Sequence, residues 1–430
     1  MDRASVFGTE GWGFESLRAR LTANDDSAHC ADDAPLRVGD AVRDSVLTAV
    51  LTAVLTTVEE ALRATPDEAL ARAVERLSDL YTTGRGSLAH AQADAAHLAA
   101  KREYFLASDA PKVGLALDEC VARHAAFARL ETLETVRVVD LGAGVGATSV
   151  GFLAWLAGRT GAAADRLRRV EFHAVELGGP AARAYGEAVE VAARAAGIAC
   201  TVEVVARDFR EAAPPACDLI LCQTALNELL VGEAHEPATV ALAARWTRHA
   251  PLVLIEPALR PTTRALMALR DALVAEGAAQ VVAPCPHQGP CPMRARAGDW
   301  CHEGRRIHRT PRVEAIDRLV GRRDGRALFS FLATVPPEAP APHAWPANAV
   351  RLVTDPLGSR GKTERLVCRA DGELRTMRLL DREARDCNRA FLDAPQGTTV
   401  AVEPMPGNDR IGPEVRVAVA EIPAQTDTEH

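Results

Sequence analysis

The sequence lacks any apolar run long enough to cross a bilayer. Its longest, Val46 to Val58, is interrupted by Thr48, Thr52, Thr56 and Thr57 and falls short of the roughly 20 residues a spanning helix needs. Met1 to Arg20 has no basic stretch followed by an apolar core, so no signal peptide is expected and the chain reads as cytoplasmic, with no membrane partner. A basic balance is lacking too. The formal net charge is −8 at pH 7, which argues against a wholly basic nucleic-acid binder but leaves room for local patches. Aromatics are only 4% of residues, and the abundance of alanine and arginine points to a GC-rich genome more than to a function. What is present, 48% hydrophobic and 25% charged residues over 430 positions, describes a globular chain of two or three domains. Ten cysteines in such a chain are read as buried thiols or metal ligands and not as structural disulfides.

The chain is organised around Val138-Val139-Asp140-Leu141-Gly142-Ala143-Gly144-Val145-Gly146-Ala147-Thr148. A β-branched run ends in an acid, three glycines alternate with small residues, and Val150, Phe152, Leu153, Leu156 and Ala157 follow at helical spacing. This predicts a buried parallel strand, a tight turn and a helix whose N-terminus offers free N–H groups. Glycine is needed where backbone must turn sharply and admit a ligand closer than a Cβ allows. The third glycine of the dinucleotide pattern Gly-x-Gly-x-x-Gly is missing, because Ala147 and Thr148 follow Gly146. Asp140 suits the ammonium group of a methionine-derived ligand better than a pyrophosphate. The stretch resembles motif I of class I S-adenosylmethionine methyltransferases.

Before it, residues 1 to about 36 read as a frayed polar segment. Val42, Val46, Leu47, Val50, Leu51, Val54, Leu55 and Val58 form an apolar helical stripe. A second helix starts at Pro66 with Thr65 as its N-cap, and others are expected over Ser87–Ala107 and Pro111–Thr132. This N-terminal region, 1–134, is expected to pack rather than to carry chemistry.

After the glycine turn, further strands are expected at Val170–Leu177, Thr201–Val205, Cys217–Cys222, Leu252–Pro257 and Ala327–Val335, with a helix over Thr263–Glu276. This alternation predicts a doubly wound α/β sheet over 135–335. Glu176, ending the second strand, is placed to accept ribose hydroxyls; a long helix and loop (Gly158–Leu167) absorb its distance from the glycines. Asp208 is a candidate for an adenine amino group and Phe209 for the ring, the alternative being a helix cap and a core aromatic. Asn227-Glu228 lies just past the fourth strand but lacks the aromatic companion of the Asn/Asp-Pro-Pro-Tyr/Phe motif. Prolines at 336, 337, 340, 342 and 346 mark a linker. A small β-rich extension (347–422) follows, with a hairpin turning at Asp371-Gly372 and a disordered tail from Pro423.

Pro284-Cys285-Pro286-His287-Gln288-Gly289-Pro290-Cys291-Pro292 and Asp299-Trp300-Cys301-His302 put three cysteines in a rigid, proline-flanked segment, 284–302. Completed by His287, His302 or His308 this would be a Cys₃His zinc site. Completed by Cys368 it would be a four-thiolate iron–sulfur site. Spacing alone does not choose. Ten arginines against five acids over 294–326 form a candidate RNA face beside it.

These motifs, together with Leu226–Leu229, Ile255-Glu256-Pro257 and Phe329-Ser330-Phe331, occur in an order that resembles the methyltransferase-like proteins of the mitochondrial small ribosomal subunit and their bacterial relatives, over roughly 135–405. Val145 and Ala147 depart from that family's usual turn. The resemblance implies a [4Fe–4S] cluster on Cys285, Cys291, Cys301 and Cys368, S-adenosylmethionine as cofactor, and the small ribosomal subunit or its rRNA as partner. It implies either an rRNA methyltransferase or a non-catalytic assembly factor. A zinc-binding small-molecule methyltransferase is the remaining alternative.

Overall fold

A computed structural model of the chain describes residues 38–82, 94–159, 168–211, 213–229, 237–322 and 325–421, all within one compact unit that begins at Arg37. The expected frayed N-terminus, the start of the Ser87–Ala107 helix, the loop after Arg159 and the tail from Pro423 lie outside these residues, as do the side chains of Val42 and Val46.

The central sheet is built from β1 (Thr135–Leu141), β2 (Arg169–Val175), β3 (Ala199–Val205), β4 (Leu219–Gln223), β5 (Leu252–Pro257), β6 (Gln280–Ala283), β7 (Glu303–Arg306) and β8 (Arg326–Val335). Its order is β3-β2-β1-β4-β5-β8-β6, with β7 pairing β8. The first five strands are parallel, whereas β8 runs antiparallel to β5 and β6. Every residue of β4 is buried, as expected of a parallel strand covered on both faces. The order reverses between β1 and β4, and the crevice beyond that switch point is where open α/β sheets bind ligands.

On one face lie α1 (Val38–Leu62), α4 (Pro111–Arg123), α5 (Ala147–Arg159) and α6 (Gly179–Ala196). Of the predicted stripe of α1, Val54, Leu55 and Val58 are buried there, with Leu62 beyond it, each worth roughly 1.5–3 kcal/mol of apolar burial. On the other lie α7 (Pro237–His249) and α8 (Arg260–Ala275). Between α1 and α4 the chain forms α2 (Asp67–Thr82) and α3 (Ala95–Ala100), which a π-helical turn (Lys101–Phe105) carries into Leu106–Asp109. Thr65 does not cap α2. Its hydroxyl instead donates to Glu103 at 2.8 Å, and its N–H and that of Ala64 donate to the same carboxylate. The helix expected to reach Thr132 stops at Arg123 because His124 is extended, φ −154°.

The C-terminal extension is a second sheet of β9 (Ala349–Leu352), β10 (Leu357–Ser359), β11 (Lys362–Arg369), β12 (Leu374–Leu380), β13 (Thr399–Glu403), β14 (Arg410–Ile411) and β15 (Arg416–Val419). Its order is β14-β12-β11-β9-β13-β15. Because β14 and β15 lie on one short stretch, the two ends of the sheet meet and it curls into a small barrel. β12 and β14 are parallel and the other pairs antiparallel, the connectivity of an OB barrel. Val350, Leu352, Val367, Met377, Phe391, Val400 and Val402 fill it. Among the described residues, no helix is long and apolar enough to cross a membrane.

Candidate functional site

The glycine turn sits at the switch point. Gly142, Gly144 and Gly146 all have positive φ, at 66°, 55° and 97°, which L-residues with a Cβ adopt only at a cost. A Cβ on Gly142 would stand 2.3 Å from that of Ala225, just past β4, whereas one on Gly144 would meet only the Gly142 carbonyl oxygen, 3.9 Å away. Gly142 is therefore small for packing, and Gly144 leaves open space above the turn. Glu176 reaches over this space: one oxygen accepts from the Gly144 N–H at 2.8 Å and the other from the Gly178 N–H at 2.7 Å. The long connection has placed the predicted carboxylate against the predicted turn.

Asp140 lies beneath the turn, fully buried. Ser149 donates to one oxygen at 2.7 Å and its hydroxyl is 2.7 Å from that of Tyr185, while the other oxygen has no partner. Burial pushes the carboxyl up to about 7, opposed by the Ser149 hydrogen bond and reinforced by the charge of Glu176. Asp208 is occupied: the backbone N–H and guanidinium of Arg210 grip it and hold it below the usual carboxylate range. Phe209 lies 3.7 Å from the Cβ position of Gly142 and 6.0 Å, ring to ring, from Trp246. Among the described residues no helix follows Asp208 for it to cap, as the alternative reading had it; it is bound by Arg210 in a turn, and Phe209 packs near Trp246 and beside the glycines.

Of the rim of this crevice, sequence reasoning pointed to the segment just past β4 and missed Leu177 and Lys101. Leu177, next to Glu176, is 65% exposed, a large apolar side chain open to a flat ligand face. Thr224, at the end of β4, has φ 57°, a conformation that β-branched residues avoid and that clusters at functional sites. Glu228 is raised above the usual carboxylate range by burial, with Lys101, Glu176, Asp208 and Arg210 around it. Lys101, one of three lysines in the chain, opens the π-helical turn and hydrogen-bonds Tyr81 of α2. Such turns often mark functional sites, and this one brings Lys101 of the N-terminal region near Glu228. Asn227 points elsewhere: it is buried and donates to Glu256 at 2.8 Å.

The four cysteines form a second centre where the sheet meets the barrel. One small pocket is lined by Cys285, Cys291, Cys301 and Cys368, with His287, Met293, Arg351 and Leu374. Side chains of α8 hold the proline-flanked loop: Arg270 donates to the carbonyls of His287, at 2.8 Å, and Gly289, Asp271 accepts the Cys291 N–H at 2.9 Å, and Arg264 donates to the carbonyls of Arg296 and Asp299. Gln288 pairs with both backbone groups of Val281, at 2.9 and 2.6 Å, closing the loop onto β6. Cys368 enters from β11, opposite Leu374 of β12 and Arg351 of β9. Burial and the neighbouring thiols push Cys291 up to about 12 and Cys301 and Cys368 well above the usual thiol range. His287 lies in the pocket, its Nε2 3.5 Å from the Cys368 sulfur. His302 stacks on Trp300 outside it and His308 is exposed. Among the described residues, no three His, Cys, Asp or Glu side chains are arranged to hold a single metal ion.

Most arginines of the arginine-rich stretch make ion pairs or hydrogen bonds within the chain, though several of them stay exposed. Seven of its ten arginines are engaged inside the chain: Arg294 with Asp271, Arg296 with Asp299, Arg305 with Glu119 and Glu303, Arg309 with Asp317, Arg312 with Glu103, Arg322 with Tyr104 and Ser78, and Arg326 with Asp355. Arg294 and Arg296 stay exposed despite their partners, Arg306 and Arg318 are exposed as well, and Arg323 lies outside the described residues. The stretch joins the barrel and α9 (Pro311–Leu319) to the N-terminal helices.

The parallel strands in order 3-2-1-4-5, the antiparallel strand between the fifth and the last, and the glycine turn at the switch point define a class I S-adenosylmethionine methyltransferase fold. Within that class, residues 124–390 match the family described as mitochondrial small ribosomal subunit Rsm22, and the chain belongs to that family. Among solved structures, it is similar to a methyltransferase from Geobacter sulfurreducens bound to S-adenosyl-L-homocysteine (15% identity, 49% of this chain and 88% of that one, TM-score 0.26). It is similar also to one from Thiobacillus denitrificans with the same ligand (14% identity, 49% and 90%, TM-score 0.25). No curated protein matches the chain.

Proposed function

We propose that the protein binds S-adenosylmethionine at the glycine turn, carries a [4Fe–4S] cluster on Cys285, Cys291, Cys301 and Cys368, and acts on the small ribosomal subunit as an rRNA methyltransferase. The observation that carries the cluster reading is the convergence of four cysteines, one of them from the barrel, on one pocket. Four thiols lining one pocket are the donor set such a cluster takes, one thiolate per iron. For the cofactor, the open space above Gly144, the carboxylate of Glu176 and exposed Leu177 are the acceptors and apolar surface that a nucleoside requires. The cofactor supplies an electrophilic methyl group. The chain's own part is to bind and orient it in the crevice beside the glycine turn, since alignment does most of the work in such a transfer.

One observation favours a second reading, a non-catalytic assembly factor. The polar group expected past β4, Asn227, is turned into a buried contact with Glu256 and is not presented to an acceptor. Anaerobically purified protein should contain about four irons and four acid-labile sulfides with a broad band near roughly 400 nm, lost in Cys291→Ser and Cys368→Ser variants. One zinc without sulfide would refute the cluster. Labelled methyl transfer to immature small subunits, abolished by Gly144→Arg, supports the enzyme. Particle binding without transfer supports the assembly factor.

A further inference from the structure

We propose that Arg351 hydrogen-bonds the cluster from the barrel side and sets its reduction potential. This rests on the cluster reading above. Arg351 is the cross-strand partner of Cys368 in the β9–β11 ladder, and the two share a face of the sheet at the separation where side chains touch. It lines the same pocket as all four cysteines and is 2% exposed.

Its guanidinium is only partly used by protein. One terminal nitrogen donates to Glu119 at 2.9 Å; the other donates to Glu119 at 3.1 Å and to Glu303 at 2.6 Å. The remaining donor, Nε, is buried and has no acceptor. A buried N–H without a partner is rare and costly. At a pocket walled by four sulfurs, a sulfide or thiolate is the acceptor that would satisfy it. Donors to cluster sulfur stabilise the electron-rich reduced form and so raise the potential.

The acids behind Arg351 fix its net effect. Arg351 and Arg305 face Glu119 and Glu303 in one network, two charges of each sign. Glu119 belongs to α4 and Glu303 follows Cys301 by two residues, so the network ties the N-terminal helices, the cysteine segment and the barrel to one guanidinium.

The test is an EPR-monitored redox titration of the purified cluster-containing protein, with iron and sulfide measured on every sample. Removing the donor while keeping the network neutral, in Arg351→Gln/Glu119→Gln, should move the midpoint to more negative potential at unchanged iron content. Glu119→Gln alone leaves Arg351 less compensated and should move it the opposite way. A purely architectural role predicts the same potential in every variant that retains the cluster, and that result overturns the proposal. If the double variant does not fold, Arg351→Lys decides. It keeps a charge but loses the fixed fork, so a more negative midpoint supports the role and an unchanged one overturns it. Wild-type protein without iron and sulfide would overturn the underlying cluster reading instead.

Discussion

Asp140→Asn separates what the buried carboxylate costs from what it contributes. The folded-state pKa of Asp140 is about 7 against 3.8 for an ordinary aspartate, burial being the main cause. A carboxyl raised in this way binds more protons folded than unfolded between those values, so stability falls as pH rises through that window and stays lowered above it. The gap of about three units amounts to roughly 4 kcal/mol at most. Asparagine carries no charge and still offers Ser149 an acceptor, but it buries an amide that costs about 1–3 kcal/mol unpaired. The variant should therefore gain on the wild type as pH rises. Between pH 5 and 8 about two of the three units are traversed, so the difference in unfolding free energy should grow by roughly 2.5 kcal/mol in favour of asparagine. Urea unfolding of the ligand-free proteins across that range, at constant m-value, measures it. The same titration predicts ligand behaviour. If the cofactor's ammonium requires an ionised Asp140, affinity for S-adenosylmethionine in calorimetry should rise about tenfold per pH unit below 7 and level off above, and the variant should show no such slope. Parallel stability curves and identical binding profiles would refute this role for Asp140.

The two glycines should fail differently. Gly142→Ala meets Ala225 at 2.3 Å as well as the positive φ and should destabilise by more than the roughly 1–2 kcal/mol of the backbone alone. Gly144→Ala, with open space around it, should stay within about 1–2 kcal/mol of wild type yet lose cofactor affinity; thermal unfolding beside calorimetry tells them apart. Leu177→Ala, at a 65% exposed position, should change stability by less than about 0.5 kcal/mol while weakening cofactor binding about tenfold, from roughly 1.4 kcal/mol of lost apolar contact. Arg312→Ala leaves buried Glu103 without its guanidinium and should cost about 3 kcal/mol, the low end of the range because Ala64 and Thr65 still donate to that carboxylate. Equal stability in chemical unfolding would show the pair to be dispensable.

Most strands of the sheet were legible because each is an apolar run bounded by turn residues, and the glycine turn because positive φ leaves a compositional trace. Glu176 could be read from its place at a strand end. β6 and β7 were not expected, since four residues beside a proline-rich or arginine-rich stretch carry no period of their own. Lys101 and Tyr81 were missed for a different reason. Helical periodicity tells which face of α2 and α3 is apolar, but nothing in it says what lies across from the polar side chains. Cys368 stands 67 residues beyond Cys301 and reaches the others only because β11 pairs with β9 and the barrel closes. No local spacing encodes that pairing.

The arginines were the most misleading signal, and the prolines beside the cysteines explain why. Each proline in the loop from Pro284 to Pro292 removes a backbone N–H, so the loop's carbonyls need donors from elsewhere. A guanidinium offers five in a fixed fork and stays charged when buried, which an ammonium does not match. Arg264 and Arg270 of α8 supply the loop, Arg123 of α4 donates to the carbonyls of His343 and Cys285, and Arg365 donates to those of Thr354, Phe391 and Ala394 inside the barrel. In a chain with three lysines, arginine density therefore marks irregular backbone that must be held in place. The dense stretch 294–326 beside that loop ties the N-terminal helices to the barrel through its own pairs. An RNA-binding face has to be sought among guanidinium groups that remain exposed, as those of Arg294, Arg296, Arg306 and Arg318 do.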